Sequence, residues 1–211
     1  MDETTCVVGE GCLGAALAQV DGVAVVAALQ RVDGRVSAVV LEGDGAATLA
    51  EARQILGEGS ALFRAAAGLE TGSGARAVLL CPEEGTPPEA VGRIVSLLET
   101  VGSVQVVPES LLAAGVAVSR SSIGFITAAL EGIEEGAVEA GLARPAARAF
   151  VRQTLLATGL LLYDHPGSPA DLKDRVASPG GTTIAGLAVL EDRAVRGAFI
   201  RAAERAADRE P

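Results

Sequence analysis

Aromatic side chains are almost absent from this chain. Of 211 residues, four are Phe, one is Tyr and none is Trp. A core without large rings must be built from Ala, Val and Leu, which favours close helix packing. It also leaves no platform for stacking nucleic-acid bases. Basic residues are scarce as well. Lys and Arg number 17 against 27 Asp and Glu, a net charge of −10. Such a surface repels phosphate backbones and argues against a DNA or RNA partner. No apolar run approaches the ~18 residues of a membrane span. The longest, Val23 to Leu29 and Leu155 to Tyr163, have the size of a strand or a core helix. The opening Met-Asp-Glu-Thr-Thr is acidic and does not read as a signal peptide.

Cysteine and histidine are also rare. Cys6, Cys12 and Cys81 are odd in number, match no metal-ligand spacing and have no nearby His. They read as incidental thiols of a reducing cytoplasm, and no metal site is expected.

What is abundant is small and apolar. Hydrophobic residues make up 49% of the chain and there are 26 Gly. Up to about Val107, short β-branched runs alternate with Gly- and Asp-rich breaks. Candidate strands are Thr5–Val8, Val23–Ala28, Val36–Leu41, Ala61–Ala66 and Ala75–Leu80. Helices are expected between them at Cys12–Gln19, Ala46–Leu56 and Pro88–Val101. This alternation predicts a parallel sheet with helical crossovers. After Pro108 the period becomes helical. Ile123, Ile126, Leu130, Ile133 and Ala137 step by three and four, as do Val151, Leu155, Thr158 and Leu162. A turn at Tyr163–Pro169 is followed by a short helix, then by one long helix from about Thr182 to Asp208. The expected fold is α/β followed by all-α. A trimmed Rossmann-like domain spans residues 1–106 and a helical dimerisation and substrate domain spans 107–211.

Two motifs carry chemistry. The first is Gly9-Glu-Gly11-Cys-Leu-Gly14, which follows a strand and opens a helix. In that context a G-x-G-x-x-G turn can hold a dinucleotide. One Gly makes the tight turn, the next admits the pyrophosphate, and the third lets the helix pack on the sheet. Gly9, Gly11, Cys12, Leu13 and Gly14 are therefore the candidate cofactor residues. Asp33 stands near the ribose position, and Arg31 or Arg35 could meet a 2′-phosphate; alternatively, these charges only flank a loop. The second motif is Ser178-Pro-Gly-Gly-Thr182-Thr183 before an apolar helix. Two Gly there leave backbone N–H groups facing outward, an anion site suited to a carboxylate. The bland alternative is a Ser- or Thr-capped helix start.

The segment Lys173-Asp-Arg-Val-Ala-Ser178-Pro-Gly-Gly-Thr-Thr-Ile-Ala-Gly-Leu187 resembles the signature of pyrroline-5-carboxylate reductases. The likeness extends through Glu99-Thr-Val-Gly102, Val107-Pro-Glu109, Ala140-Gly-Leu142 and Ala170-Asp-Leu-Lys-Asp174, covering about Pro88 to Asp208. The N-terminal part is similar at Gly9–Gly14 and, weakly, at Thr71-Gly-Ser-Gly74. The resemblance implies reduction of a cyclic imine, pyrroline-5-carboxylate, to proline with NADPH or NADH. It implies a Rossmann domain for the nicotinamide and an intertwined homodimer that contributes the substrate site. The substrate carboxylate would meet Gly181, Thr182 and Thr183, and Thr183 would hydrogen-bond the ring nitrogen as proton donor. Ser119, Ser121 and Ser122 fall in the family's Ser-Gly-Ser-Gly-Pro-Ala-Tyr segment and are the remaining substrate candidates.

The departures lie mostly at the nicotinamide end. The family's Ala-Val-Lys-Pro turn is replaced by Leu41-Glu-Gly-Asp-Gly45, and its Met-Pro-Asn-Thr-Pro by Ala65-Ala-Ala-Gly-Leu69. Arg120 and Ile123 replace a Gly and a Pro. Only about 105 residues precede Pro108, too few for every strand-helix unit of a six-stranded dinucleotide domain at ~30 residues each. Tyr163, His165 and Arg120 are lesser candidates for hydrogen bonding, base and anion roles. The alternatives to a reductase are a protein that binds an imino or amino acid without redox chemistry, or a non-catalytic dimeric partner.

Overall fold

The structure, a computed structural model, describes residues 4–9, 11–32, 36–43, 47–68, 76–164 and 167–208. Asp33, Arg35, Asp44, Leu69, Thr71–Gly74 and His165 lie outside them. The chain divides into two compact units, 1–120 with 206–211, and 121–205.

The first unit is built on six strands. These are β1 Thr5–Val8, β2 Val23–Val26, β3 Ala38–Glu42, β4 Ala61–Ala67, β5 Ala77–Pro82 and β6 Ser103–Val106. Their order in the sheet is β2-β1-β3-β4-β5-β6. Three helices accompany them: α1 Cys12–Leu17, α2 Leu49–Leu56 and α3 Pro88–Glu99. Strand β3 shows why the fold holds. Ala38 and Val40 face one side with Val7, Phe63 and Leu80, under Leu13 and Leu17 of α1 and Ile94 and Leu98 of α3. Val39 and Leu41 face the other with Leu62 and Cys81, under Leu49 and Ala52 of α2. This is the period-two alternation of a strand buried on both faces.

The α/β reading is borne out, with three revisions. The sheet is mixed, because β5 runs antiparallel to β4. Nine residues separate Ala67 from Ala77, fewer than the dozen or so that a parallel crossover requires. A sixth strand, β6, pairs parallel with β5. Its Ser-Val-Gln-Val sequence is mostly exposed at a sheet edge, so it lacks the apolar signal of the others. Helix α2 starts at Leu49. The hydroxyl of Thr48 accepts from the Glu51 N–H, and the Glu51 carboxylate accepts from the Thr48 N–H, a reciprocal cap that fixes the first turn.

The connection between β2 and β3 is brief. Only a single 3-10 turn, Leu29–Arg31, stands there among the described residues. A larger doubly wound sheet would place a further strand and its helix beyond β2.

The helices that follow are α4 Leu112–Glu139, α5 Arg144–Asp164, α6 Pro169–Val176, α7 Thr182–Asp192 and α8 Val195–Ala207. The start of α4 belongs to the first unit, where Leu112 and Val116 pack with Ala66, Leu79 and Val107. The single long C-terminal helix expected from the sequence is two helices. Ala194 takes a left-handed φ of 51° between them, and an L-residue in that conformation ends a right-handed helix. The segment 109–139 is also long and apolar enough by length and composition to cross a membrane, its most apolar 18-residue stretch having a mean hydropathy of 1.5. This revises the expectation drawn from run length. Ser119 to Ser122, Thr127 and Glu131 interrupt every run, while Ala, Val, Leu and Ile still dominate the average.

Few apolar side chains of the second unit are buried within it. Ala147, Val151 and Leu172 are, but Ile126, Ile133, Phe150, Leu156 and Leu160 are each more than two-fifths exposed. Helices α7 and α8 bury no residue completely. The periodic stripes seen in the sequence are real, yet this chain does not cover them.

The turn between α4 and α5 is tied by charge. Arg148 bonds Glu134 at 2.9 Å and Arg144 bonds Glu135 at 2.7 Å. The guanidinium hydrogen bonds hold both carboxyls below their usual range. A carboxyl lowered in the folded state stabilises above its unfolded pKa, ~4.3 for Glu, and stops doing so as pH falls through the folded value. Glu134→Gln should therefore lower the thermal midpoint near neutral pH, and the difference from wild type should close below about pH 4. A difference that persists unchanged at pH 3 would show that the pair contributes nothing through charge.

Candidate functional site

Strand β1 delivers the chain to the Gly9–Gly14 turn. Gly9 has a φ of +142°, open to glycine alone, and Gly11 is the first-turn residue preceding α1. No side chain caps this helix start. In its place, Glu42 reaches across from the end of β3. Strands β1 and β3 pair with Val8 opposite Leu41, so Glu42 lies level with Gly9. Its carboxylate accepts the backbone N–H of Leu13 at 2.6 Å and of Gly14 at 2.7 Å. These are short, charge-assisted bonds at the positive end of a helix.

The three glycines make room for this arrangement. A Cβ at Gly9 would meet Glu42 Cβ at 2.9 Å, and one at Gly11 would lie 2.3 Å from a Glu42 carboxylate oxygen. A Cβ at Gly14 would strike the Gly9 carbonyl at 2.7 Å and Val25 at 3.1 Å. Gly14 thus serves close helix-to-sheet packing, while Gly9 and Gly11 admit a carboxylate. Cys12 is half-buried with its thiol 3.9 Å from the Gly68 carbonyl. Beside the turn lies an open cleft of about 480 Å³, lined among others by Gly9, Ala28, Leu29, Gln30, Glu42 and Ile55. It sits past the carboxyl ends of β1, β2 and β3, where doubly wound sheets bind nucleotides. Arg31 is exposed and not part of its lining.

Sequence reasoning marked the Leu41–Gly45 turn as an acidic departure but missed what Glu42 grips. The signal was there: a carboxylate at the end of the strand paired with β1, opposite a glycine turn whose helix start has no cap of its own.

The second motif opens α7. Gly180 has a φ of +70° and Gly181 is extended. A Cβ at Gly181 would lie 2.3 Å from the Ser178 hydroxyl, so only glycine fits the turn. The Gly181 N–H donates to the Ser178 carbonyl at 3.0 Å, and the first intrahelical bond runs from Ala185 to Gly181 at 3.3 Å. No side chain caps the helix. Among the described residues the N–H groups of Thr182, Thr183 and Ile184 therefore have no capping partner at the helix start. Both Thr side chains are exposed. This removes the simple Ser- or Thr-cap alternative, because the residue in the capping position is glycine.

The Ser candidates stand apart. The Ser119 hydroxyl donates to the Val116 carbonyl at 3.0 Å, and its side chain lies against Gly68. Ser121 and Ser122 are half-buried on α4. Among the described residues no hydrogen bond joins them to the Gly181–Thr183 turn. Tyr163 is 85% exposed at the end of α5. Burial pushes the Cys6 and Cys81 thiols up, so neither is a ready nucleophile.

A glycine turn between strand and helix, on a doubly wound sheet followed by helices with open apolar faces, defines a Rossmann-like protein with an assembly domain. Residues 109–211 match the model of the pyrroline-5-carboxylate reductase dimerisation family. A pyrroline-5-carboxylate reductase of Synechocystis is 38% identical over 129 residues, which are 61% of this chain and 48% of the relative. The chain spans about half the length of the curated relatives it matches. Its fold is that of a solved pyrroline-5-carboxylate reductase from Coxiella burnetii, with a TM-score of 0.80 over 100% of this chain and 98% of the other, at 22% identity. The Plasmodium falciparum pyrroline carboxylate reductase, solved with NADP bound, has a TM-score of 0.70 at 15% identity, over 98% and 96% of the two chains.

Proposed function

We propose that this chain is a reductase of the pyrroline-5-carboxylate type, working as a homodimer on a small cyclic imine that carries a carboxylate. The observation that carries the reading is the uncapped start of α7, set by Gly180 and Gly181 with N–H donors open among the described residues, in a segment that matches the model of this family's dimerisation domain. In this reading the N–H groups of Thr182 and Thr183 hold the substrate carboxylate, as a helix start holds an anion, and Gly181, whose own N–H is donated to Ser178, shapes the turn beside it. The Thr183 hydroxyl holds the ring nitrogen and passes it a proton. Ser119, Ser121 and Ser122 contribute further polar contacts to the imine. NADPH or NADH would supply the hydride to the C=N carbon. Hydride and proton together convert the imine to the ring amine, proline for this substrate.

The residues that would hold the dinucleotide are Gly9, Gly11, Cys12, Leu13 and Gly14. The turn suits a phosphate group on the evidence of its own chemistry: it already grips an anion, the Glu42 carboxylate, through two backbone N–H groups. The exposed stripes of α4 and α5 support pairing with a second copy. Three cysteines, each a free thiol, support a reducing compartment such as the cytoplasm.

The test is reduction of pyrroline-5-carboxylate followed by NADPH or NADH absorbance. Thr183→Ala should lower kcat/KM at least ~10-fold, since a positioned proton donor is worth more than that. Thr183→Ser should recover most of the loss. Equal turnover in all three forms would remove Thr183 from the site.

A further inference from the structure

The fingerprint turn is not waiting for a ligand: its two best donors are taken. The Leu13 and Gly14 N–H groups point at one spot, and the Glu42 carboxylate occupies it at 2.6 and 2.7 Å. A Cβ placed on Gly9, Gly11 or Gly14 would come within 2.9, 2.3 or 3.1 Å of the Glu42 side chain, so it fills the space that the three glycines leave open. A pyrophosphate seated here would need the same N–H groups and the same volume. It would also bring like charge against a carboxylate within a few ångströms, on a chain already at −10. Glu42 stays in reach because it is fixed by pairing: Leu41 beside it is buried and locked opposite Val8.

We propose that Glu42 is an internal competitor for the phosphate cradle, so that a dinucleotide binds this chain only when the Glu42 carboxylate releases Leu13 and Gly14. Its identity as a nicotinamide dinucleotide rests on the reductase reading above. The carboxylate acts as a tethered stand-in for the phosphate, satisfying the helix start in the cofactor-free protein and weakening the cofactor in proportion. Removing the carboxylate frees both donors and the space between the glycines, and nothing else in the cleft changes charge.

The experiment uses the full chain as wild type, Glu42→Gln and Glu42→Ala. Each is titrated with NADPH and, separately, with inorganic pyrophosphate. Binding is followed by nicotinamide fluorescence and by the amide signals of Leu13 and Gly14 in a nitrogen–proton correlation spectrum. In the wild type the two amides should carry the signature of strong hydrogen bonds and respond only at high ligand concentration. In Glu42→Ala both signals should move, and the NADPH Kd should fall at least tenfold. Glu42→Gln keeps the side-chain volume with no charge, guards against loss of folding in the alanine form, and should also bind more tightly than wild type. Equal affinity of all three forms for both ligands would overturn the proposal. So would wild-type amides that NADPH shifts as readily as in Glu42→Ala. If the substituted forms gain pyrophosphate but not NADPH, the competitor role stands and the reductase reading fails. Binding of a proline analogue at Thr183, measured in the same samples, reports on that reading without involving Glu42.

Discussion

Phe63→Ala should destabilise the α/β unit by ~3–5 kcal/mol, toward the upper end of what a buried ring deletion costs. Phe63 is fully buried on β4 in the middle of the sheet, and it is the largest side chain so enclosed. The cost depends on how far the surroundings can close the hole. Ala38, Ala65, Ala67 and Ala90 belong to the same cluster, and an alanine has no rotamer with which to fill space. The backbone cannot follow either, since β4 is hydrogen-bonded on both sides, to β3 and β5. In a chain with four Phe and no Trp, no second ring shares the load. Urea unfolding of wild type and variant would measure the difference. A loss below about 1 kcal/mol would mean that the pocket collapses after all.

The second large effect is expected on assembly. Ile126→Glu and Ile133→Glu place a carboxylate on the open stripe of α4, at residues 46% and 59% exposed in the single chain. If a second copy covers this stripe, each site occurs twice in a symmetric dimer. Each loses the ~1.5–3 kcal/mol that burial of an Ile side chain yields, before any cost of burying charge. Two copies lose ~3–6 kcal/mol, roughly a hundredfold or more in dimer dissociation. Sedimentation of the two variants against wild type reads this directly. A dimer of unchanged dissociation constant would show that the partner lies on another face. Retention in detergent-solubilised membrane of the wild type alone would point to the bilayer as what covers 109–139.

The sequence was informative wherever one residue type dictates local geometry. Strands β1 to β5 were visible because Val, Ala and Leu run together between Gly-rich breaks. The start of α3 was visible because Pro88 fits only a first turn. The glycine helix starts at both turns were also readable, since neither Gly11 nor Gly181 has a side chain with which to cap its helix. Three things were not. The direction of β5 is set by the length of the segment before it, not by its own residues. The break at Ala194 has no Gly or Pro to announce it. The occupant of the Gly9–Gly14 turn comes from a residue 28 positions from Gly14, and only the pairing of β1 with β3 brings it there. Local pattern reports what a turn can bind; register decides what reaches it first.

Strand β2 stands at one end of the sheet. Among the described residues one row of its backbone amides and carbonyls has no neighbour within the sheet. An open row of this kind is a template for another extended chain. Its four residues keep that template short. During refolding at high concentration this edge is where one molecule can recruit the next, and its brevity limits how far such pairing can run.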